Sequence, residues 1–287
     1  MREEAGSIVS QGAVDVAYAA QSPAGAWDGI EHASGAAEPT ASARLALIGA
    51  PRSGLSVLGL IAGHYGWRDQ RQAGPAGMIA ADAAALPSGS CLLGAIPHTE
   101  NAIEALRGFR KILVMRELRS AFVSLLRIER RLQQSPHLAP IWQLPTNQLQ
   151  MSRFLQQHGP SLFGQFLSVL CWMTEPDVVT LRFEKLQQPD SGMAARLARL
   201  LRRDASTSGD RDADAGIPDL TAGADSLLTV LRPASGAAAP VKSAAKAHFR
   251  SFWSGEAEAL FTAFGGCQLN KALGYDQAYG TDDHAAH

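Results

Sequence analysis

The chain is poor in the features that most quickly place a protein. Three cysteines occur in 287 residues, Cys91, Cys171 and Cys267, far apart and odd in number. They form neither a disulfide framework nor a metal-ligand spacing, and read as small buried apolar residues. Neither sign of charge is in excess: 26 Lys and Arg face 27 Asp and Glu, a formal charge of −1. No overall basic field can recruit nucleic acid or an anionic membrane, so any anion site has to be local. No apolar run approaches the length of a membrane span. The opening Met-Arg-Glu-Glu, followed by Ala, Gly and Ser, has no signal-peptide core. A chain with these absences is expected in the reducing cytoplasm. No cluster of His, Cys, Asp and Glu suggests a metal.

The length suits one large α/β domain or two smaller ones. Residues 1–42 have little periodicity and few large apolar side chains, and read as a loosely attached extension. The folded domain is expected over 43–276, with a polar, Gly- and Pro-bearing insert at 204–240 and a tail at 277–287. Apolar runs predict strands at 45–48, 91–96, 111–115 and 178–183. Helical spacing is expected over 54–65, 101–106, 119–133, 193–203 and 255–273. A further helical segment, 154–172, is expected to be interrupted at Gly159-Pro160. The stretches 68–87 and 135–146 read as turn-rich. Continuous apolar strands alternating with helices imply an α/β fold whose parallel sheet is covered on both faces.

The chain is organised around Arg44 to Leu60. A short apolar run, Leu45 to Ile48, is followed by Gly49-Ala50-Pro51-Arg52-Ser53-Gly54 and then by helical apolar spacing. Strand, tight loop and helix point backbone N–H groups at a phosphate. Gly49 and Gly54 have Walker A spacing, but the lysine position holds Leu55, and Ser56 takes the Ser/Thr position. The only cation in the loop is Arg52. His98 and Arg116 each follow another predicted strand within a few residues. Ligands of such folds bind beyond the carboxyl ends of strands, so Arg52, His98 and Arg116 predict one rim site.

These residues resemble sulfotransferases that use 3′-phosphoadenosine-5′-phosphosulfate (PAPS). The 49–54 loop is similar to their phosphosulfate loop. Lys111 to Arg116, with Ser124 eight residues further on, resembles the segment that binds the 3′-phosphate. Leu181-Arg182-Phe183-Glu184 is similar to the strand and acidic turn of that family. His248 to Tyr275 resembles its closing segment, and the likeness spans roughly residues 44–276. It implies a P-loop three-layer α/β/α fold with a mainly parallel central sheet. It also implies a sulfonate transfer from PAPS to a hydroxyl, with no metal. Donor contacts would come from Pro51, Arg52, Ser53, Gly54, Leu55, Ser56, Arg116, Ser124, Phe183, Lys242 and Lys246. Arg52 would stabilise charge on the leaving phosphate. His98 would be the base, or Glu100, since relatives acting on protein tyrosine use a carboxylate. The acceptor would be a peptide tyrosine, a carbohydrate or a small phenol, with neither a nucleic acid nor a membrane as partner.

Several positions depart from the family pattern. Leu55-Ser56 stands where two threonines are usual, Glu117-Leu118 where Asn-Pro is common, and Ala244 where a closing glycine is expected. Two rival readings follow: a P-loop kinase using ATP and Mg²⁺, and a relative that binds nucleotide without catalysis.

Overall fold

A computed structural model of the protein describes residues 44–67, 69–72, 85–132, 136–186, 193–202 and 251–275, with Ala83 and Phe249. The expected extension, insert and tail lie outside the described residues, as do Lys242 and Lys246. The described chain falls into two compact units. A sheet unit takes 44–116 and 169–202, and a helical unit takes 117–168 and 249–275.

The sheet unit is α/β. Its strands are β1 (Leu45–Gly49), β2 (Asp69–Gln72), β3 (Ser90–Gly94), β4 (Arg110–Met115) and β5 (Val178–Arg182). They form a five-stranded sheet in the order β2-β3-β1-β4-β5, and every pairing is parallel. β1, β3 and β4 are buried along their whole length, which is why they read as unbroken apolar runs. On one face, Leu45, Leu47, Ile112 and Val114 pack with Leu58 and Ile61 of helix α1 (Leu55–His64). Leu197 and Leu201 of a later helix cover the same face. Ala46, Ile48 and Leu113 alternate to the other face and are also buried. Each fully buried Leu or Ile contributes roughly 1.5–3 kcal/mol of transfer free energy.

The remaining helices of this unit are α2 (Glu100–Ala105), α6 (Phe183–Leu186) and α7 (Met193–Leu201). Trp67 Nε1 donates to the Leu201 carbonyl at 2.8 Å, tying the end of α7 to the segment that follows α1. β2 was not expected, because Asp-Gln-Arg-Gln carries no apolar pattern. It joins through its backbone at the sheet margin, beside β3.

The helical unit contains α3 (Leu118–Leu132), a 3-10 turn (Pro136–Leu138), α4 (Ala139–Trp142) and α5 (Asn147–Leu170). It closes with α8 (Gly255–Ala263) and α9 (Gly266–Ala272). Phe122 of α3 stacks on Phe166 of α5 at 5.1 Å and lies 4.9 Å from Phe163. Phe261 of α8 reaches Phe163 at 5.5 Å. These rings make the unit's core.

Two expectations about helix continuity are corrected. α5 runs through Gly159-Pro160 without interruption. Pro160 and Gln156 are both exposed, so the carbonyl that Pro160 leaves unpaired can take water. Gly159 is buried, and a Cβ there would stand 2.5 Å from the Phe264 ring. Conversely, the single helix expected over 255–273 is two. Gly265 at φ 82 ends α8 and caps α9.

Candidate functional site

β1 leads the chain to one side of the sheet, towards β2 and β3, while β4 precedes β5 on the other side. The chain therefore diverges between β1 and β4, which are directly paired, Gly49 opposite Val114. Such a switch point leaves a crevice outside the carboxyl ends of the strands. The loop 49–54 and Arg116 both stand there.

The loop is held by a turn in which Ser53 N donates to the Ala50 carbonyl at 3.1 Å. Arg52 adopts φ 67, the only left-handed non-glycine residue among those described. Gly54 follows at φ 107 and caps α1 without a side chain. Val57 N and Leu58 N donate to the Gly54 carbonyl at 3.1 and 3.2 Å, and no side chain caps the N–H groups that precede them. Ser53 is 2% exposed, and its Oγ has no hydrogen-bond partner among the described residues. A Cβ on Gly49 would meet that Oγ at 2.4 Å and the Val114 carbonyl at 3.0 Å. Pro51 is half-buried, whereas Arg52 and Ser56 are exposed. Leu55 packs on the sheet core and reaches beneath Gly49, so the hydrocarbon in the lysine position is a packing residue.

Arg116 reaches back to this loop. Its Nη1 donates to the Arg52 carbonyl at 3.0 Å, and its guanidinium lies 5.4 Å from the centre of the Phe183 ring. That ring abuts Gly54, where a Cβ would clash at 2.3 Å. Arg52, Gly54, Arg116 and Phe183, chosen from three separate sequence segments, are thereby brought into one cluster.

His98 follows β3, the other neighbour of β1. Its Nε2 lies 2.8 Å from Glu175 Oε1, and its ring meets Trp172 edge-on at 5.1 Å. Trp172 is itself fixed by a bond from Nε1 to the Ile96 carbonyl at 2.9 Å. Among the described residues, the hydrogen bond and the ring contact of His98 run to these two residues. Glu100 is exposed in the first turn of α2, behind the Thr99 cap that accepts from Ala102 N at 3.2 Å.

In the helical unit, Ser124 is half-buried on α3. The start of α3 is closed by side chains. Glu117, 1% exposed, accepts from Arg119 N at 3.0 Å and Ser120 N at 2.6 Å. Asn270 of α9 accepts from Leu118 N at 3.0 Å and donates to Glu117 at 2.8 Å. Glu117 is thus a helix cap, its carboxylate bonded to the start of α3 and to Asn270. Arg119 also pairs with Glu258, which accepts from Trp253 Nε1 at 2.7 Å. Burial works against the charges of both partners. Their mutual bonds and charges outweigh it, raising the Arg119 pKa and lowering that of Glu258.

Glu175 and Trp172 were missed from sequence. They precede β5, whereas the rim rule directs attention to residues that follow strands. Among the described residues, no group of three or more His, Cys, Asp or Glu is placed to hold a metal ion. No helix among them is long and apolar enough to cross a membrane. No protein-family model, curated protein or solved structure matches this chain.

Proposed function

We propose that the protein binds PAPS at the loop after β1 and transfers its sulfonate to an acceptor hydroxyl. The observation that carries this reading is the bond from Arg116 to the Arg52 carbonyl at the switch point. PAPS carries a 5′-phosphosulfate and a 3′-phosphate, so its binder needs two anion positions. The N–H groups at the start of α1, which no side chain caps, and the Ser53 hydroxyl, without a partner among the described residues, suit the first. The Arg116 guanidinium suits the second, with a charge-assisted hydrogen bond. Arg52 is the loop cation for charge on the leaving phosphate. Leu55, packed on the core, leaves the loop without the lysine that a triphosphate needs.

Transfer also needs a base for the acceptor proton. His98 is the imidazole at this edge, with Glu100 as the carboxylate alternative. A peptide tyrosine is the favoured acceptor, ahead of a carbohydrate or small phenol, and the site of action is cytoplasmic. A second reading, binding without transfer, is favoured by one observation: among the described residues, the hydrogen bond and ring contact of His98 go to Glu175 and Trp172 and not to the loop.

Calorimetry with adenosine 3′,5′-bisphosphate tests the proposal. Wild type is expected to bind. Arg116→Ala is expected to weaken binding roughly tenfold or more, for the loss of a bond to a charged group. Arg52→Ala should weaken it less, since its carbonyl remains. Absence of binding by the wild type would falsify the proposal. His98→Ala should keep the bisphosphate affinity and lose transfer. Full transfer in that variant moves the base to Glu100.

A further inference from the structure

The contact between His98 and Glu175 settles more than the position of a ring. A carboxylate accepts hydrogen bonds and does not donate them, so the imidazole nitrogen facing it carries the proton. That nitrogen is Nε2, 2.8 Å from Glu175 Oε1. The two ring nitrogens are distinct, and the bond made by one selects the role of the other. Nδ1 makes no hydrogen bond among the described residues, and it is left with the lone pair.

We infer that Glu175 is a positioning residue that holds His98 as the Nε2–H tautomer and makes Nδ1 the proton-accepting atom of the site. The inference deepens the proposed function and rests on it for the reaction, though not for the tautomer. Trp172 supports the same arrangement. It is fully buried, its indole is tied to Ile96, and its edge-on contact fixes the plane of the imidazole. His98 itself is about a fifth exposed, so the side chain is not sealed from an acceptor.

In the transfer, the acceptor O–H proton moves to Nδ1 as the oxygen forms a bond to sulfur. The bond from sulfur to the 5′-phosphate oxygen breaks, and adenosine 3′,5′-bisphosphate leaves with the electron pair. His98 is then an imidazolium facing the Glu175 carboxylate, an ion pair formed only as the reaction proceeds, and it returns the proton to water. Glu175 therefore acts on turnover and not on donor binding.

The test uses full-length protein labelled with ¹⁵N-histidine, assigned through His98→Gln, at a pH where imidazoles are neutral. The wild-type His98 signals are expected to report Nε2–H with an unprotonated Nδ1. Glu175→Ala should lose that bias, while Glu175→Gln should retain it, because an amide oxygen also accepts. All three should bind the bisphosphate with equal Kd. In turnover, Glu175→Gln should lower kcat about tenfold or more with KM for the donor unchanged, since the charge facing the imidazolium is gone. A wild type protonated on Nδ1, or an unchanged tautomer in Glu175→Ala, overturns the inference. The spectra need no turnover. A wild type that never transfers sulfonate therefore overturns the proposed reaction, while the spectra still decide the tautomer.

Discussion

The Phe183 ring stands where any side chain on Gly54 would have to go. A Cβ there would lie 2.3 Å from the ring, and Gly54 already sits at φ 107. One substitution thus meets two obstacles, a left-handed backbone and a filled space. Because the same ring lies under Arg116, packing at Gly54 and the aim of that guanidinium are linked.

Gly54→Ala is expected to lose about 1–3 kcal/mol of stability, from the backbone conformation together with the clash. Adding Phe183→Ala removes the second obstacle and leaves the first. The double variant should therefore be less destabilised than the sum of the singles, with a coupling of about 0.5 kcal/mol or more. Urea denaturation of the four proteins measures it. Strict additivity would show that the ring is not what excludes the side chain.

Glu117→Ala should be among the most damaging single changes. It strands two N–H groups at the start of α3, the Asn270 amide and part of the Arg119 environment. A loss of about 3–5 kcal/mol follows from removing one partner of a buried charged network. Since Glu117 is a cap, Glu117→Gln should reduce the urea midpoint without strengthening bisphosphate binding in calorimetry. A clear gain in affinity would mean that its charge reaches the ligand.

Acid should unfold the protein through two identifiable groups. Burial raises the Glu258 carboxyl, but the bonds from Arg119 and Trp253 and the Arg119 charge bring it below the ordinary carboxylate value of 4.5. Burial first, then His137, lower the His158 imidazole below its ordinary 6.5, against the pull of Glu129. In both cases the unfolded chain takes up protons at a higher pH than the fold does. Their contributions are complete above the unfolded values and shrink as pH falls through the folded ones. Urea midpoints across pH should therefore fall in two stages, first below about 6.5 and then below about 4.5. His158→Gln should flatten the first stage and Glu258→Gln the second. An unchanged first stage in His158→Gln would assign it to other histidines.

Four strands of the sheet were legible because β1, β3, β4 and most of β5 are apolar on both faces, a pattern that burial imposes directly. β2 was hidden because a margin strand of four polar residues needs only backbone pairing. The break at Gly265 and the continuity at Pro160 were misjudged for one reason. A glycine or proline signals what the backbone is free to do, and the Phe264 ring against Gly159 decides what it does. At the candidate site, Arg52, Gly54, Arg116 and Phe183 were singled out by motif, and the fold places them together. Glu175 was not, because its role depends on a partner 77 positions away and no spacing rule connects them.

The cap shared by Glu117 and Asn270 joins positions 153 residues apart. During synthesis, α3 leaves the ribosome long before α9 exists, so Leu118 N waits without its Asn270 acceptor and Glu117 without the Asn270 donor. The sheet unit has all its described strands by Arg182, whereas the helical unit stays open until nearly the last of the described chain has emerged. Vectorial folding would thus pair the described strands of the unit that carries Arg52 and Arg116 first, and α9 would act as the latch on the other.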